Sequence, residues 1–332
     1  MPTRSIWRTH TAFSPSHAKN NTPLEPFKVH ILGCGSALPT LKHNATSQVV
    51  DIRGKLFMID CGEGTQVQLR RSHIRFTKIG AVFISHLHGD HCFGLIGMIS
   101  TFGLLGRTAA LHVYAPTELG SILRTQLDFF CAGIEFEVVF HAVDTTVQQV
   151  IYEDKSITVE SVPLEHRISC CGFIFREKAL LPHIRRDMID FYRIPVSQIN
   201  NIKLGANWVD EEGQTVLNSR LVTPSAPARA YAYCSDTRYM PELHKAVQGV
   251  DVLYHEATYD AKMASRARLY YHSTAEEAAK VARDARVGKL VLGHYSARYE
   301  AEDLLLTEAK AIFPNTILGQ EGMEVWIDAK AD

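Results

Sequence analysis

Residues 85–94 read SHLHGDHCFG, which places His86, His88, Asp90 and His91 directly after AVFIS, a run that predicts a buried strand. Residues two apart at the end of an extended strand point the same way, so His86 and His88 can bind one metal ion from one side. Asp90 and His91, at the start of the helix that follows, can face a second ion. Imidazole and carboxylate ligands together favour zinc, with Mn²⁺ or Fe²⁺ as substitutes. A group of solvated loop histidines is the weaker interpretation of this spacing.

A two-metal site needs about six or seven protein ligands, because each catalytic metal keeps an open position beside about three of them. Three further candidates follow buried apolar runs: His166 after SITVESVPLE, Asp236 after AYAYCS and His294 after KLVLG. Functional residues gather where the chain leaves a rigid scaffold. Taken alone, His166 could equally well be a surface residue, and His294 could be a core histidine with its hydrogen bonds satisfied. Their occurrence alongside residues 85–94 predicts a shared metal site.

The order of apolar patterns predicts the organisation of the chain. From residue 28 onward short apolar runs alternate with helical patterns, which predicts one layered domain of the α/β or α+β class over residues 28–330. The clearest helix is STAEEAAKVARDAR, where Ser273 and Thr274 each precede a Glu by three residues and predict overlapping capping boxes. Residues 178–229 are polar and weakly periodic, so we expect an arm-like insertion. Residues 1–27 have no apolar stretch of signal-peptide length, so we expect a flexible tail.

Composition excludes several classes of protein. The chain has 332 residues, with 35 Lys and Arg against 36 Asp and Glu, and its net charge of −1 excludes a surface coated with positive charge for non-specific nucleic-acid binding. No apolar run approaches the ~20 residues of a membrane helix, so we expect no membrane partner. The 7 cysteines are scattered without a CxxC pair. This pattern favours a reducing compartment, and hence the cytoplasm, over a disulfide framework.

Motifs along nearly the whole chain resemble those of ribonuclease Z (tRNase Z), a family within the metallo-β-lactamase superfamily. In chain order they are ILGCGSALP, DCGEGTQ, SHLHGDHCFGL, YCSDTR, HEATY, HST and LGHYSARY. HxHxDH alone indicates only the superfamily, whereas HEATY, HST and HYSARY are more specific to the tRNA-processing branch. The resemblance implies a metallo-β-lactamase αββα four-layer sandwich that works as a homodimer. It also implies a zinc endoribonuclease that removes the 3′ trailer from precursor tRNA, leaving a 3′-hydroxyl on the tRNA and a 5′-phosphate on the trailer.

The resemblance further implies which residues carry the chemistry. One zinc ion takes His86, His88 and His166, the other takes Asp90, His91 and His294, and Asp236 bridges the two. Asp90 also accepts or steers a proton of the attacking water. His272 protonates the leaving 3′-oxygen, and Glu256 orients His272 through a hydrogen bond. Two alternatives stay open: His272 as a helix-start residue without chemistry, and Glu256 as a structural hydrogen-bond partner under the site.

Binding of RNA requires local basic residues even when the total charge is near neutral. Arg298 is the best candidate because it lies close to His294 in the sequence. Arg185 and Arg186 lie in the predicted arm, where the family places an arm that grips the tRNA elbow from the partner subunit. The sequence departs from the family in residues 178–229, because a Gly- and Pro-rich basic signature is absent and acidic residues dilute the charge.

Two other functions compete with tRNA processing. One is a zinc phosphodiesterase or arylsulfatase-like hydrolase of small esters, which would share the ligand set. The other is a non-catalytic RNA-binding module, which would have no need of a complete set of ligands. A small ester requires neither an arm nor a basic surface, and the intact HEATY and HST motifs therefore favour the endoribonuclease.

Overall fold

The computed structural model of the chain describes residues 26–328. The predicted tail, residues 1–27, therefore lies almost entirely outside the described residues. Within the described residues, no helix combines the length and the apolar character needed to cross a membrane.

The strands follow the short apolar runs of the sequence. In chain order they are β1 (Phe27–Gly33), β2 (Ser47–Ile52), β3 (Lys55–Cys61), β4 (Ile79–Phe83), β5 (Leu111–Pro116), β6 (Val138–Val143), β7 (Gln149–Glu153), β8 (Ile157–Leu164), β9 (Cys170–Glu177), β10 (His183–Ile184), β11 (Trp208–Val209), β12 (Thr215–Val216), β13 (Val222–Thr223), β14 (Ala230–Cys234), β15 (Val252–Glu256), β16 (Lys289–Gly293), β17 (Thr316–Leu318) and β18 (Glu324–Trp326).

The helices fall between these strands. In chain order they are α1 (Thr65–Arg71), α2 (Gly89–Cys92), α3 (Leu95–Leu104), α4 (Leu119–Phe130), α5 (Arg186–Phe191), α6 (Val196–Lys203), α7 (Asn218–Leu221), α8 (Leu243–Ala246), α9 (Ala264–Tyr270), α10 (Ala275–Asp284) and α11 (Asp303–Lys310). Short 3₁₀ turns occur at Phe76–Lys78 and Ala261–Met263.

Two seven-stranded sheets form the centre of the described structure, in the orders β18-β1-β2-β3-β4-β5-β6 and β17-β16-β15-β14-β9-β8-β7. The central strands of the first sheet, β2, β3 and β4, are buried on both faces. Val49, Met58 and Val82 pack with α1, α3 and α4 on one face. Their neighbours Val50 and Phe57 belong instead to the cluster that contains the second sheet, because successive side chains of a strand point to opposite faces. The first sheet therefore lies between a helical layer and the second sheet.

The second sheet is covered in the same manner. Apolar residues of α8, α10 and α11 belong to the same buried cluster as β15 and β16. The layers consequently run helix, sheet, sheet, helix. The predicted αββα four-layer sandwich is confirmed.

The strand directions of the second sheet bring distant residues to one edge. β14, β15 and β16 are parallel. β8 runs in the same direction, because β9 is antiparallel to both β8 and β14. The carboxyl ends of these four strands therefore meet at one edge of the sheet. His166, Asp236 and His294 follow three of them, and Glu256 ends the fourth.

Only one of the two predicted capping boxes forms at the start of α10. The Thr274 side chain accepts a hydrogen bond from the backbone N–H of Glu277, and the Glu277 side chain accepts one from the backbone N–H of Thr274. Ser273 instead donates its hydroxyl to the carbonyl of Thr237 at 2.7 Å. The second box is wrong because Ser273 lies before the N-cap position, where its side chain is used for a contact with the loop after β14.

Residues 178–229 carry a small apolar cluster of their own, formed by Ile194, Ile202, Val216 and Leu221. The segment contains α5, α6, α7 and two short strand pairs, β10 with β13 and β11 with β12. Its first strand, β10, pairs with its last strand, β13, where His183 lies opposite Thr223. The two ends of the segment therefore lie side by side. Arg229, at its end, is buried and donates to both carboxylate oxygens of Glu177 at 2.9 Å.

Candidate metal centre

The loop after β4 and the start of α2 carry the first set of predicted ligands. His86 and His91 are fully buried, whereas His88 and Asp90 are partly exposed. His88 directly precedes α2, and Asp90 lies in its first turn. This turn directs the side chains of the four residues toward the edge of the second sheet where His166, Asp236 and His294 lie.

Three imidazole nitrogens and one carboxylate oxygen converge in a first group. His86 Nε2 lies 3.1 Å from His88 Nδ1 and 3.6 Å from Asp236 Oδ2. His166 Nε2 lies 3.2 Å from His88 Nδ1 and 3.7 Å from Asp236 Oδ2. The ligands of a tetrahedral zinc ion lie about 3.3–3.8 Å apart when its bonds are about 2.0–2.3 Å long. The four atoms therefore have the spacing of ligands to a single metal ion.

A second group lies on the other side of Asp236. Asp90 Oδ2 is 3.3 Å from His91 Nε2 and 3.5 Å from His294 Nε2. Asp236 Oδ1 is 3.5 Å from His91 Nε2 and 3.2 Å from His294 Nε2. Asp236 thus directs one carboxylate oxygen to each group, as a ligand shared by two metal ions does.

Unsatisfied polar atoms indicate that the second group lacks a bonding partner. Asp236 Oδ1, His91 Nε2 and His294 Nε2 are buried and form no hydrogen bond with any residue that the structure describes. Leaving one buried polar group unpaired costs about 1–3 kcal/mol, and here three such atoms face one another. A metal ion would coordinate all three, and this set of nitrogen and oxygen donors suits zinc. The residues present therefore fit a metal centre.

Four of the five histidines in the two groups also form a hydrogen bond through the ring nitrogen that faces away from the group. Nδ1 of His86 donates to Ser85 Oγ (3.0 Å), and Nδ1 of His91 donates to Asp60 Oδ2 (2.8 Å). Nδ1 of His166 donates to the Tyr271 carbonyl (2.9 Å), and Nδ1 of His294 donates to Thr258 Oγ1 (2.8 Å). Metal-binding histidines characteristically donate their second ring N–H to such an acceptor, which fixes the tautomer and the ring orientation. Nε2 of each of these histidines therefore carries the lone pair that can bind a metal ion.

Asp60 has a role that the sequence analysis does not assign. It is fully buried at the end of β3. Its Oδ2 accepts hydrogen bonds from His91 Nδ1 (2.8 Å), Tyr233 Oη (2.6 Å) and Ser85 Oγ (2.9 Å), and its Oδ1 accepts one from the Ser85 backbone N–H (2.7 Å). The carboxylate therefore orients His91. The available signal was an acidic residue in the apolar run KLFMID, because carboxylates are rarely buried without partners.

Glu256 connects His272 with the second group. Glu256 is fully buried, and its Oε1 accepts a hydrogen bond from His272 Nδ1 at 2.9 Å. Its Oε2 accepts one from Thr258 Oγ1 at 2.6 Å, and Thr258 Oγ1 accepts one from His294 Nδ1. One carboxylate thus orients His272 directly and His294 through Thr258. The predicted hydrogen bond between Glu256 and His272 is present.

The protonation of His272 follows from this contact. Burial alone would lower the pKa of His272, but the Glu256 carboxylate outweighs burial and raises the pKa to about 9. Burial would also raise the pKa of Glu256, and His272 instead lowers it to about 2. At neutral pH the pair is therefore an imidazolium and a carboxylate.

An open cleft lies beside His272. Its volume is about 450 Å³, and Glu165, Arg238, Tyr239 and Arg268 contribute to its lining. Arg238 forms an ion pair with Glu165 in the wall of the cleft. The imidazolium of His272 therefore faces a space that a phosphate ester can enter.

The arginines predicted to contact RNA lie outside both ligand groups. The guanidinium of Arg298 lies 4.9 Å from the ring centre of Tyr259, and its Nε donates to Ser296 Oγ at 2.9 Å. Arg185 forms an exposed ion pair with Asp187 at 2.6 Å, and Arg186 begins α5. Of the three, only Arg298 is near a predicted ligand in the chain, on the loop that follows His294.

Sequence relatives cover nearly the whole chain. It is 57% identical over 300 residues to the ribonuclease Z of Bacteroides fragilis, an overlap of 90% of this chain and 99% of that protein. It is 47% identical over 299 residues to the ribonuclease Z of Porphyromonas gingivalis, an overlap of 90% and 98%. A family profile described as "Anti-Pycsar protein Apyc1" matches residues 27–183.

Solved structures agree with the architecture. The short form of human tRNase Z superposes with a TM-score of 0.67 at 24% identity, over 91% of this chain and 99% of that one. The metallo-β-lactamase fold protein YhfI of Bacillus subtilis superposes with a TM-score of 0.63 at 18% identity, over 91% and 99%. At these identities the likeness concerns the fold alone.

Proposed function

Because the chain belongs to the ribonuclease Z family, an enzyme family with the metallo-β-lactamase fold, we propose that it removes the 3′ trailer from precursor tRNA as a zinc-dependent endoribonuclease. The observation that carries the proposal is the position of Asp236, whose two carboxylate oxygens each face one group of ligands. A bridged pair of metal ions suits hydrolysis of a phosphodiester. The products are a tRNA with a 3′-hydroxyl and a trailer with a 5′-phosphate.

The ligand geometry supports two zinc ions in each subunit. His86, His88 and His166 would hold one ion, Asp90, His91 and His294 would hold the other, and Asp236 would contact both. Mn²⁺ or Fe²⁺ can occupy ligands of this type as substitutes. When bound, such a pair lowers the pKa of water and neutralises charge on the phosphodiester.

The residues around the ligands supply the proton transfers. Asp90 directs Oδ2 at His91 and His294, which leaves its other carboxylate oxygen to accept a proton from the water that attacks phosphorus. As the bond from phosphorus to the 3′-oxygen breaks, His272 donates its proton to that oxygen. Glu256 keeps His272 protonated and oriented, so that the acid is ready at neutral pH.

Substrate recognition is the second part of the proposal. Arg298 and the cleft beside His272 would contact phosphates near the scissile bond, and Arg185 and Arg186 would bind RNA from the arm, residues 178–229. Following the family resemblance, we expect a homodimer in which the arm of one subunit contacts precursor tRNA bound to the other. All 7 cysteines of the chain are free thiols, which supports a reducing compartment. We therefore propose that the enzyme is cytoplasmic.

A paired assay tests the proposal. Zinc-loaded protein is given a precursor tRNA with a 3′ trailer and, separately, bis(p-nitrophenyl) phosphate. The wild type is expected to hydrolyse both, and Asp90→Ala to lose both. Hydrolysis of the small ester alone would refute the tRNA-processing function and favour the alternative, a phosphodiesterase of small esters.

A second variant separates recognition from hydrolysis. Residues 182–223 are replaced by a short Gly-Ser linker, which is feasible because His183 pairs with Thr223 at the base of the arm. This variant still contains Arg229, which is buried against Glu177. We expect loss of tRNA cleavage with the small-ester rate unchanged. A matched control, Arg185→Gln with Arg186→Gln, tests whether the arm acts through its charges, in which case the tRNA KM rises and becomes less dependent on salt.

A further inference from the structure

A second set of metal-ligand side chains lies outside the centre described above. Cys34 Sγ, His43 Nδ1 and a carboxylate oxygen of Glu321 all lie within 4.8 Å of one another. We propose that these three residues bind a further zinc ion with a structural function. The inference does not depend on the proposed endoribonuclease activity.

The spacing of the three atoms suits one ion. Cys34 Sγ lies 3.4 Å from His43 Nδ1, and His43 Nδ1 lies 3.0 Å from Glu321 Oε2. Ligands to tetrahedral zinc are expected about 3.3–3.8 Å apart, so only small movements are required. A thiolate, an imidazole and a carboxylate are all established zinc ligands, and the thiolate disfavours harder ions such as Mg²⁺ and Ca²⁺. The fourth position is left for water or for the second oxygen of Glu321.

The surroundings of His43 resemble those of a metal-binding histidine. Its other ring nitrogen, Nε2, donates to Glu302 Oε1 at 3.2 Å. The Glu302 side chain is only 6% exposed and is itself held by Lys42. A carboxylate behind the distal ring N–H is the arrangement that orients histidine ligands and raises their basicity. His43 is thereby positioned with Nδ1 toward Cys34 and Glu321.

The competing explanation is an ion-pair network without metal. Glu321 and Glu302 flank the ring of His43 and, against the effect of burial, raise its pKa. A protonated His43 would then act as the cation between the two carboxylates. In that arrangement the fully buried Cys34 thiol donates a weak hydrogen bond to the Gly319 carbonyl at 3.4 Å, and its Sγ accepts a second weak one from His43 Nδ1 at 3.4 Å. The two explanations differ in whether Cys34 becomes a metal-bound thiolate.

The position of the site indicates what the ion would do. Cys34 directly follows β1, Glu321 lies between β17 and β18, and the two residues are 287 positions apart. The Cys34 carbonyl also accepts a hydrogen bond at 2.9 Å from the backbone N–H of Tyr295, the residue after His294. An ion bound here would tie together segments from both ends of the chain beside the loop that carries His294.

Cobalt spectroscopy distinguishes the two explanations. Full-length protein is stripped with a chelator and titrated with Co²⁺, and the near-ultraviolet spectrum is recorded. The ligands assigned to the catalytic centre contain only nitrogen and oxygen, and Cys34 is the one cysteine in the metal-ligand groups of residues 26–328, so we assign a thiolate-to-cobalt charge-transfer band to Cys34. We expect this band in the wild type and in Cys131→Ser, a control because Cys131 belongs to none of the metal-ligand groups in the described residues.

Two variants complete the test. Cys34→Ser and His43→Gln are both expected to lose the charge-transfer band, and their bound zinc, measured by mass spectrometry, is expected to fall by about one ion per chain. The catalytic centre then serves as an internal control for folding, because its visible cobalt absorption should remain. Absence of the band from folded wild-type protein, or its persistence in Cys34→Ser, would overturn the proposal in favour of the ion-pair network.

Discussion

Replacing Asp60 by Asn is expected to weaken metal binding by about 10- to 100-fold. The Asp60 carboxylate accepts hydrogen bonds from His91 Nδ1, Tyr233 Oη and both the hydroxyl and backbone N–H of Ser85, at 2.6–2.9 Å. Asn offers one oxygen and one NH₂ group in the same space, so one of these donors must face another donor. An amide that avoids the clash with the Ser85 backbone N–H must turn its NH₂ group toward His91, and in either orientation the neutral amide is a weaker acceptor than the carboxylate for the ring N–H that holds His91 Nε2 toward Asp90 and Asp236.

The size of the effect is the range typical of replacing the hydrogen-bond partner of a metal ligand, and it can be measured by competition. A 10- to 100-fold change corresponds to about 1.4–2.7 kcal/mol of binding free energy. Zinc affinity is measured against a chromophoric chelator at fixed pH. Hydrolysis of bis(p-nitrophenyl) phosphate is measured in parallel, and we expect excess zinc to restore much of the lost rate.

A matched variant separates orientation of His91 from general damage to the core. Tyr233→Phe removes one hydrogen bond to the same carboxylate, at 2.6 Å, but retains the contact between Asp60 and His91. Its zinc affinity is expected to remain within about threefold of the wild type. If Asp60→Asn folds and binds zinc as tightly as Tyr233→Phe does, Asp60 does not orient a metal ligand and the reasoning fails.

Three further outcomes are expected. His272→Ala should slow cleavage of precursor tRNA by about 10²- to 10⁴-fold but change hydrolysis of bis(p-nitrophenyl) phosphate far less, because p-nitrophenolate leaves without a proton; an equal loss with both substrates would exclude His272 as the acid. Glu256→Gln removes the charge that raises the pKa of His272 to about 9, so the alkaline limb of the kcat–pH profile for tRNA should move to lower pH, and an unmoved limb would refute this role. Glu177→Gln leaves buried Arg229 without its carboxylate and should reduce the free energy of unfolding by about 3–5 kcal/mol at pH 7 in urea denaturation. Burial would raise the pKa of Glu177, but Arg229 lowers it, so the pair stabilises the fold at pH values above the ordinary carboxyl pKa. The difference in unfolding free energy between wild type and variant should therefore shrink as the pH falls through the lowered pKa. A difference that does not depend on pH would contradict the assignment.

Part of the candidate site was predictable because its signals are local. Residues 85–94 contain ligand-type side chains at a strand end, and His166, Asp236 and His294 each follow an apolar run. Strand ends are recognisable from a few adjacent residues, so their functional candidates could be found without a structure. The interpretation of Ser273 as a helix cap was wrong because its hydroxyl donates a hydrogen bond to the carbonyl of Thr237, a residue far away in the chain. No local pattern signals such a contact.

Other parts depended on contacts between segments that no local pattern relates. Asp60 becomes a support for His91 only because the β3 end packs against α2 and β14. Thr258 joins Glu256 to His294 across two parallel strands. These hydrogen bonds depend on strand register, and a shift of one residue would turn the side chains to the opposite face.

The sequence by itself determined the layered α/β class, the strand-end positions of the ligands and the metal chemistry that their residue types favour. Only the tertiary structure decided that Asp236 faces both ligand groups, that one carboxylate orients His272 and His294, and that Cys34 meets Glu321. The physical reason is that ligand type and strand periodicity are properties of neighbouring residues. Distances of 3–4 Å between side chains far apart in the chain exist only once two sheets have paired, stacked and buried their shared edge.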